Sequence, residues 1–311
     1  LSPTSFPYYS DSPEIYKATV ANYYFFKLEG CDEILGYMPA RIARQMPINQ
    51  HWKLDTERRI LTFQPRGTEG APVVDLESRN WIMADYLYEV REKKIFKILD
   101  GWRNERFPIY GPQKELLLNM ERAATALFGV VTYGVHMTGY VETEEGIKIW
   151  TPRRALNKDT YPGMMDNTVA GGLSTGEKPF ECLVRECEEE ASLPASLVHT
   201  AKACGTLTYF HIRDARAGGE IDLCEPECEY IYDLKMPLEV IPKPGDNEAI
   251  DFQLLSIEEV QSAMAAGRFK PNCAQVLLDF FVRHGILNAE NEPCYNQIIW
   301  KLHRRLEFPT K

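Results

Sequence analysis

The chain has 311 residues, 44% of them hydrophobic and 26% charged, with a formal net charge of -10 from 45 acidic and 35 basic side chains. That length allows two cores of ordinary domain size, and the composition excludes a disordered chain. The acidic balance, with no basic stripe, argues against nucleic-acid binding, and no apolar run approaches the roughly eighteen residues that a bilayer span requires.

Eight cysteines, Cys31, Cys182, Cys187, Cys204, Cys224, Cys228, Cys273 and Cys294, are too sparse for a disulfide scaffold. Several fall in patterns where a reduced thiol acts as a small hydrophobe, and Cys224 and Cys228 lack the second pair or nearby histidine that a zinc site would need. The opening LSPTSFPYYS has neither Met nor a signal-peptide apolar stretch. The expectation is a reducing compartment, most simply the cytoplasm, with mitochondrial or plastid delivery by an upstream segment left open.

In chain order, ATVANYYFFKL reads as a strand, RRILTFQPRG and GAPVVDL as short strands around turns, and WIMADYLYEVREKKIFKIL as a helix ending at Asp100-Gly101. NMERAATALFGV approaches a junction near Leu127, which predicts an accessory α/β domain over 1–125 and a second domain over 126–311. The second opens with VVTYGVHMTGYV and EEGIKIWTPRR, joined by TEEG as a hairpin. Strands follow at ACGTLTYFHI, ECEYIYDLKMPLEVI and AIDFQLL, and helices at SIEEVQSAMAAG, CAQVLLDFFVRHGI and CYNQIIWKLHRRL. Strands flanked by helices predict an α/β/α sandwich around a mixed sheet.

Between the hairpin and the later strands lies GGLSTGEKPFECLVRECEEEASL, residues 171–193, with six glutamates. Pro179 suits a first helical turn, and Glu177 just ahead places negative charge where a helix start favours it. On a helix, Phe180, Leu183, Val184, Cys187 and Ala191 share one apolar arc, while Glu186, Glu189 and Glu190 share a neighbouring one. Clustered carboxylates repel, whereas a hard divalent cation needs such oxygen ligands, so Mg²⁺ is the simplest functional account. A solvated acidic face is the competing one. Arg185 adjoins the cluster and would steady a carboxylate or a phosphate.

Gly171, Glu177 after five intervening residues, and then Arg185-Glu186 with Glu189-Glu190 resemble the Nudix box, a glycine-led loop and helix carrying R-E-x-x-E-E. Ser192 stands where the box usually has Gly, at a helix end where a left-handed residue is cheapest as Gly. The resemblance implies a Nudix α/β/α sandwich that hydrolyses a phosphoanhydride with Mg²⁺ or Mn²⁺ held by Glu186, Glu189 and Glu190, with Glu177 in a structural role or as an outer ligand. A base or added ligand would come from a helix glutamate or from Glu248, on a turn before a strand. Gly171 and Gly172 would let backbone approach the phosphates.

WTPRR, NKDTYPGMMDNTVAGG, YIYDLKMP and GRFKPNCAQVLLDFFVRHG look like the fungal and plant branch related to the Nudix domain of thiamine pyrophosphokinase fusions. For that branch the implied activity is removal of phosphate from thiamine diphosphate, preferentially from damaged oxo and oxy forms, as metabolite repair, with the first 125 residues as an accessory domain. Arg153 and Arg154 before the box, and Arg103 and Arg106 in the accessory domain, are further phosphate candidates. Trp81, Trp102, Tyr161, Tyr209 and Phe210 are stacking candidates. His211 and His284 read as surface or hydrogen-bonded buried histidines. Competing expectations are a pyrophosphatase for NADH, ADP-ribose or a similar nucleotide, and a non-catalytic binding module. Isomerisation would need acid–base residues not evident in the sequence. The expected partner is a small-molecule diphosphate, with neither nucleic acid nor membrane, and the family resemblance admits a homodimer.

Overall fold

A computed structural model describes residues 5–158, 160–245 and 248–311. Asp159, and Asp246 and Asn247 of the turn expected before Glu248, lie outside the described residues.

Ser12 accepts a hydrogen bond from the Ile15 amide and Pro13 occupies the first turn, so helix α1 (Pro13–Val20) starts there. It claims the first residues of ATVANYYFFKL, and only β1 (Tyr23–Leu28) is strand. β2 (Gly36–Pro39), α2 (Ala40–Gln45), β3 (Trp52–Asp55) and β4 (Ile60–Phe63) follow. The sheet order is β2-β1-β4-β3, with β1 and β4 parallel. GAPVVDL forms no strand: Pro72 makes only an isolated bridge to Arg66, consistent with a proline that has no amide to donate.

Asp75 caps α3 (Leu76–Glu92) by accepting from the Ser78 amide at 2.8 Å. This helix stops short of the expected Asp100, because Lys94 turns left-handed at φ 51° and residues 97–101 form a separate 3-10 turn. A hairpin of β5 (Arg106–Tyr110) and β6 (Leu116–Glu121), absent from the sequence reading, leads to α4 (Thr125–Phe128). Tyr24, Phe26, Trp52, Phe63, Met83, Leu87 and Phe128 share the core of this half.

β7 (Thr132–Thr143) and β8 (Gly146–Arg154) form the expected hairpin. β9 (Val169–Gly172), α5 (Pro179–Ala191), α6 (Ala195–Val198), β10 (Lys202–Ile212), β11 (Cys224–Lys235) and β12 (Ala249–Ser256) come next, then α7 (Ile257–Ala265), α8 (Pro271–Arg283) and α9 (Tyr295–Leu302). The strand order is β10-β11-β7-β8-β12, with β9 antiparallel to the first half of β7 and β11 parallel to β7, a mixed sheet. Cys182, Leu183 and Cys187 of α5 pack with Val135 and Met137 on one face. Val260 and Ala263 of α7 and Leu277 and Phe280 of α8 pack with Tyr140 and Ile149 on the other. The result is the expected α/β/α sandwich. The two halves of the chain are joined through shared core: Phe6, Tyr23 and Tyr37 lie in the same cluster as Phe210, with Phe6 stacked on Phe210 at 4.2 Å.

Candidate active site

Helix α5 owes its position to its apolar stripe, which lays the helix along β9 and β7 and turns Glu186 and Glu190, one turn apart, toward β9. Glu186 is 8% exposed and packs on Gly171 so closely that a Cβ on that glycine would overlap its carboxylate. Glu190 reaches Ala170 and accepts its amide at 2.9 Å. The helix ends at Ser192, which takes the left-handed conformation at φ 51° without glycine.

Arg185 organises the rest of the acidic group. Its Nε and Nη2 donate to the two oxygens of Glu177 at 2.9 and 3.2 Å, and its Nη1 donates to Glu186 at 2.8 Å and Glu189 at 3.1 Å. Glu189 is exposed, held only at the rim. Burial and the neighbouring carboxylates push both ligand candidates upward. Glu186 rises to about 7, burial outweighing the opposing pull of Arg185, and Glu190 rises well above the ordinary carboxylate value through burial and then Glu186.

Two adjacent carboxylates that resist ionising together are what a divalent cation would relieve, so this pair fits the metal that the box implies. Among the described residues no three metal-ligating side chains converge. Glu177, Glu186 and Glu189 are all engaged by Arg185, and Glu248 by Lys158 and, at 3.6 Å, Arg103. For Glu248 burial would raise the pKa, but those cations outweigh it and hold it below the usual value.

Beside this group lies a cavity of about 290 Å³. Gly134, Gly171 and Gly172 of β7 and β9 line it, with Glu190, Glu248, Lys158 and Arg154. The two box glycines do more than admit a ligand: Gly172 is overhung by Phe107 and Arg122, where a Cβ would collide. Phe107, Arg122 and Arg103 belong to the N-terminal half, which therefore supplies one wall.

The strand period separates the paired arginines. Arg154 faces the cavity, committed to Asp166 at 2.6 Å and the Thr160 carbonyl at 2.8 Å, whereas Arg153 faces outward, 3.5 Å from Asp251. Arg106 is exposed and Trp81, at 69% exposure, sits away on α3. Trp102 lies under Arg91 at 5.1 Å, and Phe210 is buried against Phe6. Of the aromatic candidates, Tyr161 and Tyr209 line the cavity.

His284 is satisfied, 2.8 Å from Asp233 and stacked on Phe280 at 3.9 Å. His211 departs from expectation: it is 8% exposed, lines the cavity, and neither ring nitrogen has a partner among the described residues. Burial, aided by Lys270, lowers it to about 4, so it is neutral.

The sequence reading also missed Glu225, Glu227 and Glu229 of β11, which line the cavity with Tyr209, His136 and Asn272. Their spacing of two, which puts all three on one face of a strand, was the available signal.

The NUDIX domain family matches residues 133–276, and a domain of unknown function (DUF4743) matches 71–132. An uncharacterized protein of Saccharomyces cerevisiae is 36% identical over 266 residues, 83% of this chain and 75% of its own length. Nudix hydrolase 20, chloroplastic, of Arabidopsis thaliana is 33% identical over 86% of this chain and 74% of its own. Nudix hydrolase 24, chloroplastic, of the same plant is 36% identical over 67% of this chain and 54% of its own. The box helix thus sits in the matching domain, and relatives bearing the family name run through both halves of the molecule: the chain belongs to the Nudix hydrolases and is a phosphoanhydride hydrolase.

Proposed function

We propose that this enzyme cleaves the terminal phosphoanhydride of a compact organic diphosphate, with thiamine diphosphate and its damaged oxo and oxy forms as preferred substrates. A water oxygen forms the new bond to phosphorus, the bridging oxygen leaves with the organic monophosphate, and inorganic phosphate is released. The observation that supports a compact substrate is the cavity: about 290 Å³, at the lower end of small-molecule sites and walled by the N-terminal half. A dinucleotide would have to extend well outside it.

In this reading Glu186 and Glu190 hold the cation. When bound, Mg²⁺ or Mn²⁺ supplies positive charge to the diphosphate oxygens and lowers the cost of activating water. Arg185 fixes the carboxylates by its fork of donors. Arg103, Arg122 and Lys158 offer cationic contacts to phosphate at the cavity wall. Glu248, kept ionised by its ion pairs, suits an orienting or ligand role better than that of a base matched to neutral pH. Residues 1–125 would act on specificity, because their side chains close the cavity, and residues 126–311 would carry the chemistry.

A second reading, hydrolysis of NADH, ADP-ribose or another nucleoside diphosphate derivative, draws its support from family membership, since the matches run to Nudix hydrolases in general. The test is phosphate and monophosphate release by the purified protein with Mg²⁺, offered thiamine diphosphate, oxothiamine diphosphate, oxythiamine diphosphate, NADH and ADP-ribose. Higher kcat/KM for the thiamine compounds, greatest for the oxidised ones, is expected. Preference for a nucleotide would overturn the substrate and leave the hydrolase.

A further inference from the structure

Glu229 sits in β11 directly across from Gly134 of β7, which in turn pairs with Gly172 of β9. The carboxylate is 5% exposed and lines the cavity. Its Oε1 accepts from the Tyr209 hydroxyl at 2.9 Å and lies 3.6 Å from His136 Nε2. Its Oε2 is buried and has no hydrogen-bond partner among the described residues. That oxygen points over Gly134: a Cβ on this glycine would run into Oε2 on one side and meet the Gly171 carbonyl oxygen at 2.9 Å on the other.

The surrounding groups decide the charge. Tyr209 also lies in short contact with Glu227 and accepts from Asn272 Nδ2 at 2.8 Å. One hydroxyl proton cannot serve two carboxylates, so the network holds both only if one carboxyl keeps its own proton. Burial and Glu229 push Glu227 upward, whereas His136 and then hydrogen bonds from Glu227 and Tyr209 offset the burial of Glu229 and hold it down. Glu227 is the neutral partner and Glu229 the anion. A buried anionic oxygen without a donor is costly, and that cost is recovered when a ligand supplies one.

We propose that Glu229 Oε2 is the recognition point for the organic half of the substrate and takes an N–H donor of a nitrogen heterocycle. Oε2 and the Gly171 carbonyl oxygen of β9 both lie against Gly134, so the recognition point opens on the same cavity as Glu190. Tyr209 and Asn272 hold the carboxylate in place. The inference rests on the proposed reading that a diphosphate of this kind is the substrate, and it names the group that selects it.

The test uses neither phosphate nor metal, so it stands apart from hydrolysis. Metal-free full-length protein is titrated calorimetrically with thiamine and with adenosine, two donor-bearing heterocycles. Wild type should bind one of them, E229Q should weaken it roughly tenfold or more, and E229D should also lose affinity. E229D keeps the charge that Tyr209 and His136 require but withdraws it by a methylene, so it answers the question even where E229Q unfolds. Failure of wild type to bind either compound, or unchanged affinity in a folded variant, overturns the assignment. If binding depends on Glu229 yet no diphosphate is hydrolysed with Mg²⁺, the hydrolytic reading alone fails.

Discussion

Glu186 occupies the space that a side chain on Gly171 would fill, so the first residue of the box and the first carboxylate of its R-E-x-x-E-E run are a matched pair. Gly171→Ala should therefore displace the carboxylate. Overpacking of this kind costs about 1–3 kcal/mol of stability, whereas a misplacement near 1 Å at a reacting centre costs roughly 100-fold in rate. The expected outcome is a folded protein with a modestly lower Tm and a kcat reduced by about two orders of magnitude. A kcat near wild type would show that Glu186 has no catalytic role.

The two neighbouring glutamates should behave differently although the sequence treats them alike. Glu190 is drawn inward to the Ala170 amide, and Glu189 is exposed on Arg185. Glu190→Gln should abolish Mg²⁺-dependent turnover and raise the Tm of the metal-free protein at pH 8, because it removes a carboxylate that resists ionising beside Glu186. Glu189→Gln should instead weaken metal affinity by roughly 10–100-fold, the range for an outer partner, with turnover recovered at high Mg²⁺. Equal loss in both variants, unrelieved by metal, contradicts this division.

Buried His211 gives the protein an acid-sensitive component. Its folded value is about 4 against an ordinary 6.5, so below pH 6.5 the unfolded chain takes up a proton that the folded chain refuses. Stability from this site is complete above pH 6.5 and lost as pH falls toward 4, by about 3 kcal/mol in all. Urea unfolding at pH 7.5, 5.5 and 4.5 should show His211→Leu gaining on wild type as pH falls. The difference between the two proteins isolates this group from the carboxylates that titrate in the same range. Parallel pH profiles would mean that His211 protonates freely in the folded state.

How much of this was legible depended on distance along the chain. The helix of residues 179–191, its buried stripe and its left-handed end at Ser192 follow from local periodicity and end chemistry, and all are present. The hairpin at 132–154 and the later strands and helices were equally local, although β11 ends at Lys235, short of the expected Ile241, and α9 at Leu302, short of the expected Leu306. What escaped depended on pairing across the fold. Glu229 meets Gly134 because β11 runs parallel to β7, a register fixed by packing of segments 95 residues apart. Arg185 could be seen near the acids, but not that it would take Glu177 with both sides of its fork. His211 and Arg154 are set by which face of a strand is inward, and Arg153 loses the cavity by one residue.

Arg122 tests whether the N-terminal half takes part in binding. It follows β6, donates to Glu105 at 2.7 Å, lies 5.3 Å over the Phe107 ring, and sits with that ring against the Gly172 backbone. A guanidinium so placed can meet a phosphate without moving its support, and a hydrogen bond to a charged group is worth about 1.5–3 kcal/mol. Arg122→Ala should raise KM roughly 10–100-fold with a smaller change in kcat, since the contact would serve ground and transition states alike. Arg122→Lys should recover part of the loss, because the charge returns without the fork. The measurement is initial rate against substrate concentration at saturating Mg²⁺, with the Tm of each variant as a check on folding. An unchanged KM in a folded Arg122→Ala protein would place the phosphate elsewhere and leave this wall to the organic half alone.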